Sequence, residues 1–179
     1  MLPEILTPRL KLRAFRPEDA ADLHEYLSDA RVYRFEPGEP ISHEEAQQKA
    51  ERMSVSPNYW AVELQNERKV IGQVWFCHLE PGHLMTWELG YILSPFYQRQ
   101  GYTFEAAGAL LRYGFSQWQI HRVTANCNPE NTASWKLLEK LGFRREGLLK
   151  EEFFSHRDPD GNPIWTDTFV YALLAGDIR

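Results

Sequence analysis

Hydrophobic and polar positions change period along the chain, and each change marks an element. From Arg9 to Phe15 the residues alternate, with Leu10, Leu12 and Ala14 on one face and Arg9, Lys11 and Arg13 on the other, the period of a half-buried strand. Pro17 then stands at a first helical position, with Glu18 and Asp19 suited to the positive end of a helix dipole. Ala20, Leu23, Tyr26 and Leu27 form that helix's apolar stripe. Pro37, Gly38 and Pro40 break the pattern in an exposed loop. Ser42 and Glu45 make a capping box, which predicts a second helix running toward Met53. Tyr59 to Leu64 and Val70 to Leu79 are two strands joined by a polar turn, and after Pro81-Gly82 a fourth strand runs from Leu84 to Leu93.

Helical spacing returns with Phe104, Ala107, Leu111, Phe115 and Trp118 and ends near Gln119; Gly108 and Gly114 weaken this helix but permit close packing on a sheet. His121 to Asn128 is a fifth strand. Asn131 caps a helix whose apolar face is Leu137, Leu138 and Leu141, with Gly142 just past its end. Phe143 to Phe154 and Trp165 to Leu174 pair around the turn Asp158-Pro159-Asp160-Gly161-Asn162-Pro163. No linker or repeat interrupts the series. The expectation is one α+β domain over residues 1–179, with helices on a mixed, mostly antiparallel sheet.

Composition narrows the function. With 43% hydrophobic and 25% charged residues the chain is ordinary for a globular protein, and 13% aromatics favour strands and a walled pocket. The net charge is −5 and Lys and Arg form no run, which argues against nucleic acid as a partner and suits a small cationic one. Cys77 and Cys127 lack Cys-x-x-Cys spacing and fit core thiols in a reducing compartment. No signal-peptide pattern and no apolar run of membrane-spanning length occurs, so no membrane partner is expected and the cytoplasm is the expected location. His43-Glu44-Glu45-Ala46-Gln47 begins like a zinc-protease helix, but Gln47 stands where the second His belongs. In the stretch from His156 to Gly161 the glycine comes too early for a calcium loop. No metal is expected.

The segment from Glu88 to Ala106 is a strand, a short loop with one well-placed glycine, and a helix start. Such a loop aims backbone N–H groups past the first helical turn and makes an anion cradle, above all for a pyrophosphate. Gln98-Arg99-Gln100-Gly101-Tyr102-Thr103 resembles the acyl-CoA-binding motif of the GNAT N-acetyltransferase superfamily, Gln/Arg-x-x-Gly-x-Gly/Ala, with Thr103 as a departure at the last position. Downstream, Asn131-Thr132-Ala133-Ser134, followed by Lys140-Leu141-Gly142-Phe143-Arg144, resembles the family's Asn-x-x-Ser and Leu-Gly-Phe. The opening Thr7-Pro8-Arg9-Leu10-Lys11-Leu12-Arg13 is similar to that of the ribosomal-protein alanine acetyltransferase branch.

The resemblance implies the GNAT fold: a seven-stranded sheet flanked by about four helices, splayed between strands 4 and 5. It implies that Ile92 and Leu93 offer backbone pairing to the pantetheine of acetyl-CoA. Gln98, Arg99, Gln100, Gly101, Tyr102 and Thr103 then cradle the pyrophosphate, and Asn131 hydrogen-bonds the cofactor beside the thioester. Many members place a Tyr one turn beyond Asn-x-x-Ser as the acid for the departing thiolate, but here that position is Leu138. The ribosomal-protein branch uses the motif's Ser, here Ser134. For the base, Glu88 shares a face with Gly90 and Ile92 and can reach a water beside the amine. Glu152 is the second candidate, one residue out of register, with Phe153 at the corresponding place. Catalysis without a side-chain base also stays open, since an α-amine titrates near ~8. Backbone N–H groups of Leu89 to Leu93 are candidate oxyanion donors.

Acceptor recognition is expected from the Arg34–Pro40 loop, the turn near His156–Pro163, and Trp60 and Trp75, with Glu36 and Glu39 as candidate holders of a cation. The reaction so implied is transfer of acetyl from acetyl-CoA to a primary amine, either a protein N-terminal α-amine or a small molecule, by direct attack in a ternary complex. A catalytically weak acyl-CoA-binding or sensing module is the alternative. Paired chains are common in the family, so a homodimer is a possible assembly.

Overall fold

Residues 2–177 are described by the computed structural model. Its sheet has the order β1-β2-β3-β4-β5-β6-β8-β7. The strands are β1 (Ile5–Leu6), β2 (Leu10–Ala14), β3 (Tyr59–Leu64), β4 (Lys69–His78), β5 (Thr86–Leu93), β6 (Arg122–Cys127), β7 (Arg144–Arg157) and β8 (Pro163–Leu174). The helices are α1 (Ala20–Leu27), α2 (His43–Ser54), α3 (Tyr102–Gln117) and α4 (Thr132–Lys140), with short 3₁₀ turns between elements. The sheet thus has eight strands rather than seven. The extra one, Ile5–Leu6, pairs with Leu12 and Lys11 and is too short to show a period of two in sequence.

Each sheet face carries its own apolar layer. Leu10, Leu12, Trp60, Val62, Phe76, Leu89 and Val123 bury themselves against Ala106, Leu110 and Leu111 of α3 and Leu138 of α4. On the other face Phe15, Ala61 and Val70 meet Leu23, Tyr26 and Leu27 of α1 and Ala50 and Met53 of α2. Each fully buried leucine removes apolar surface worth about 1.5–3 kcal/mol.

Two sequence expectations change here. Arg13, expected on a polar face, is 4% exposed. It donates to Asp19 at 2.7 and 2.8 Å and to Glu63 at 2.6 Å, so two carboxylates, from the turn before α1 and from β3, compensate its charge. Trp60, expected near the acceptor, lies fully buried in the α3-side core.

The feature that makes a site is where β5 leaves β6. These parallel neighbours pair only at Thr86–Arg122, Trp87–Val123 and Glu88–Thr124. Beyond Glu88, β5 stays on β4 as far as Gly72–Leu93, while β6 stays on β8 as far as Cys127–Phe169. Gly72 draws β5 toward β4: a Cβ there would stand 2.5 Å from the Ile92 carbonyl oxygen and 3.0 Å from Leu93 Cα. Gly72→Ala must therefore push the end of β5 away from β4 and into the gap. Overpacking of this kind costs about 1–3 kcal/mol, and thermal unfolding of the variant should show a loss in that range.

Candidate active site

The gap between β5 and β6 opens into a cleft of about 440 Å³. Its floor is Leu89, Gly90 and Tyr91 on one side and Ala125, Asn126 and Cys127 on the other. The start of α4, the 34–37 loop and the β7–β8 hairpin supply the walls. A larger hollow of about 720 Å³ lies over Arg13, Asp19 and Glu63, but those charges satisfy one another. The smaller cleft, which brings Tyr91, Asn131 and Ser134 together, is the candidate site.

At one end of the cleft β5 becomes the loop. Ser94 N donates to Ile71 O at 2.8 Å, a single turn follows at Pro95–Tyr97, and Arg99 (φ 61°) and Gly101 (φ 80°) are left-handed. Gly101 is the N-cap of α3 and has no side chain with which to cap it. The first N–H groups of α3 therefore point outward unclaimed by a cap, which suits a diphosphate. Gln98 donates to Leu93 O at 3.4 Å, folding back on the strand end. Thr103 sits half-buried in the first turn of α3.

The loop is stayed by a strut the sequence reading did not assign. Arg9 Nη1 donates to Gln100 O at 2.9 Å, and its guanidinium lies 4.3 Å from the centre of the Tyr102 ring. Arg9 Nε and N and Thr7 Oγ1 all donate to the Glu105 carboxylate, at 2.7, 3.0 and 2.6 Å. Burial alone would raise the Glu105 carboxyl, but these donors outweigh it and hold it below its usual range. Both partners were visible in the motifs, Arg9 in Thr-Pro-Arg-Leu and Glu105 in the helix start. Only the fold shows that they meet.

At the other end, Asn131 Oδ1 caps α4 by accepting from Ser134 N at 3.2 Å. The Ser134 hydroxyl does not serve the backbone of its helix. It lies 2.9 Å from the Tyr91 hydroxyl, across the parting between β5 and α4. Leu138, the position matched to the family's Tyr by the motif, is buried in the cleft lining, and the phenol beside Ser134 comes from Tyr91 of β5. Desolvation holds Tyr91 far above the ordinary phenol range, so it remains a proton donor. Burial likewise pushes the Cys127 thiol up to about 11.

The carboxylates divide by position. Glu88 faces the sheet side opposite Tyr91 and accepts from Asn126 Nδ2 at 3.3 Å. It sits beside the cleft rather than in its lining, and burial raises its pKa. Glu152 and Phe153 both line the cleft, because the β7–β8 register slips between Leu149 and Phe153, where Glu151 is left-handed at φ 48°. Glu152 accepts from Thr168 Oγ1 at 2.9 Å. Glu36 lines the cleft half-buried, and desolvation pushes it to about 7. Glu39 is exposed, and Trp75 packs against Gly90 outside the lining.

Fold and cleft together define the class: an α+β protein whose sheet parts between two parallel strands and leaves an unpaired strand edge facing a cleft. Residues 9–144 match the family model described as the acetyltransferase (GNAT) domain. YnaD of Bacillus subtilis, an uncharacterized N-acetyltransferase, is 36% identical over 95% of this chain and 96% of its own. The [ribosomal protein uS5]-alanine N-acetyltransferase of Escherichia coli is 30% identical over 97% of this chain and 91% of its own. The crystal structure of a GNAT-family acetyltransferase from Bacillus anthracis superposes with a TM-score of 0.86 at 34% identity, covering 97% of this chain and 99% of that one. The chain belongs to the GNAT family and is an acetyl-CoA-dependent N-acetyltransferase. Among the described residues no helix is long and apolar enough to cross a membrane.

Proposed function

We propose that the enzyme acetylates a primary amine, either a protein N-terminal α-amine or a small-molecule amine, by direct attack on the thioester. The observation carrying this reading is that one unpaired strand edge runs from the Tyr91–Ser134 pair to the uncapped start of α3. Ile92 and Leu93 would pair with the amides of pantetheine. Gln98 to Thr103 would hold the pyrophosphate, and the side-chain nitrogen of Asn131, which bonds no described residue, would face the thioester.

In the reaction the amine nitrogen gives up a proton and forms a bond to the carbonyl carbon. The C–S bond breaks, and the sulfur takes a proton. Ser134 is the proposed donor to that sulfur, with Tyr91 holding its hydroxyl in place. Glu88 is the proposed base, acting through a water at the Asn126 side of the cleft, and its raised pKa suits the role. Cys127 favours direct attack over a covalent enzyme intermediate: with a thiol near 11, only about one molecule in ten thousand is a thiolate at neutral pH. The two free cysteines, Cys77 and Cys127, support a reducing, cytoplasmic setting.

Calorimetry with acetyl-CoA, paired with thiol release over a panel of amines, tests the reading. Saturable binding and amine-dependent thiol release are expected. Binding without release would leave the protein an acyl-CoA-binding module, and no binding would remove the cleft assignment.

A further inference from the structure

Carboxylates reach the acceptor side of the cleft from several elements, and their partners differ. Asp167 takes Lys150 Nζ at 2.7 Å and Glu151 N at 3.0 Å. Glu152 is held by Thr168. Glu130 stands exposed to water ahead of α4. Glu36 is half-buried and makes no hydrogen bond or ion pair with any described residue.

The cation nearest to Glu36 in sequence, Arg34, is turned onto the Phe35 ring at 4.9 Å. The segment leading to Glu36 is nonetheless pinned. Tyr33 donates its hydroxyl to Leu27 O at 2.9 Å, and Tyr33 O lies 3.1 Å from His156 Nε2 on the β7–β8 hairpin. A half-buried carboxylate without a partner costs stability, yet here a fixed loop presents it to the cleft. Glu36 lines the same cleft as Tyr91 and Ser134, so it belongs to the chamber of that pair.

We propose that Glu36 is the specificity-determining residue for the acceptor: its carboxylate receives the ammonium end of the incoming amine and selects amines with no carboxylate beside them. The assignment rests on the acetyl-transfer reading and names its substrate class. Burial holds Glu36 near 7, so it is partly protonated at neutral pH and takes its full charge as a cation arrives. A free amino acid would bring its own carboxylate against Glu36 and Glu152, with the lining cation Arg34 turned onto Phe35, and is disfavoured. An amidated peptide with a free α-amine and a polyamine share the favoured chemistry.

The test compares wild-type enzyme, Glu36→Gln and Glu36→Asp on three acceptors: an alanine-initiated peptide amide, spermidine and free alanine. Glu36→Gln should raise KM for the peptide amide or the polyamine, whichever the wild type uses, by about tenfold or more, the worth of one charge-assisted hydrogen bond. Its kcat should stay within about threefold of wild type and its acetyl-CoA affinity should not move, while Glu36→Asp recovers part of the loss. Discrimination against free alanine should shrink in Glu36→Gln. Its melting temperature should not fall, since an unpaired charge is being removed. An unchanged KM, or a loss confined to kcat, would overturn the assignment. If wild-type enzyme binds acetyl-CoA but acetylates none of the three, the cationic-acceptor class falls while the cofactor reading stands. If acetyl-CoA itself does not bind, both fall.

Discussion

Replacing Gly101 by valine is expected to weaken acetyl-CoA binding by about ten- to a hundredfold while leaving the protein folded. The reason is conformational rather than steric. A Cβ at position 101 would meet only Arg9 Nη2, at 3.5 Å, an ordinary contact. The φ of 80°, however, is one that a β-branched residue adopts poorly, at a cost of about 1–2 kcal/mol. The cheapest relief is to rotate the peptide planes at the start of α3, which swings away the N–H groups that face the phosphates. Asparagine tolerates the left-handed region, so Gly101→Asn should keep most of the affinity. Calorimetry on the pair decides the matter. Valine binding as wild type would show that the loop does not grip the diphosphate. Equal losses in both variants would point to a steric cause instead.

What was legible in the sequence was local. The capping box of α2 is present, with Ser42 N donating to Glu45 at 2.7 Å and Glu45 N to the Ser42 hydroxyl at 3.3 Å, because both partners lie within one turn. Asn131 caps α4, and Gly142 and Phe143 donate back to Glu139 and Leu138 in the closure its Leu-Gly-Phe ending suggests. The hairpin of β7 and β8 forms around its Asp-Pro-Asp-Gly turn for the same reason.

What was hidden depends on pairs far apart in the chain. Arg9 and Glu105 are 96 residues apart, Arg13 and Glu63 are 50, and Tyr91 and Ser134 are 43. Alternation put Arg13 on a polar face because the pattern knows nothing of the carboxylates that the turn before α1 and strand β3 bring to it. Trp60 lies in the apolar run of Tyr59 to Leu64, which is buried on both faces, so its aromatic ring carried no sign of which side it served. Glu36 is in a loop that reads as solvated. The segment before it is tied to the β7–β8 hairpin by Tyr33 O and His156, 123 residues apart, and no local pattern encodes that contact.

The second large effect concerns Ser134. Ser134→Ala should lower turnover by about a hundredfold and leave acetyl-CoA affinity within about threefold, the signature of an interaction made in the transition state. The leaving thiol titrates near ~8.5, so proton delivery to sulfur is a useful contribution and not the whole of catalysis. Tyr91 sharpens the test. Among the described residues its hydroxyl meets only Ser134, through the hydroxyl at 2.9 Å and the carbonyl at 3.3 Å. Tyr91→Phe therefore leaves the serine chemically intact but unheld, and its loss of turnover should be real and smaller than that of Ser134→Ala. In the double variant the losses should not add, because both act on one proton. Full additivity would separate Tyr91 from Ser134. An unchanged turnover in Ser134→Ala would remove the serine from the reaction and leave its hydroxyl a brace between β5 and α4.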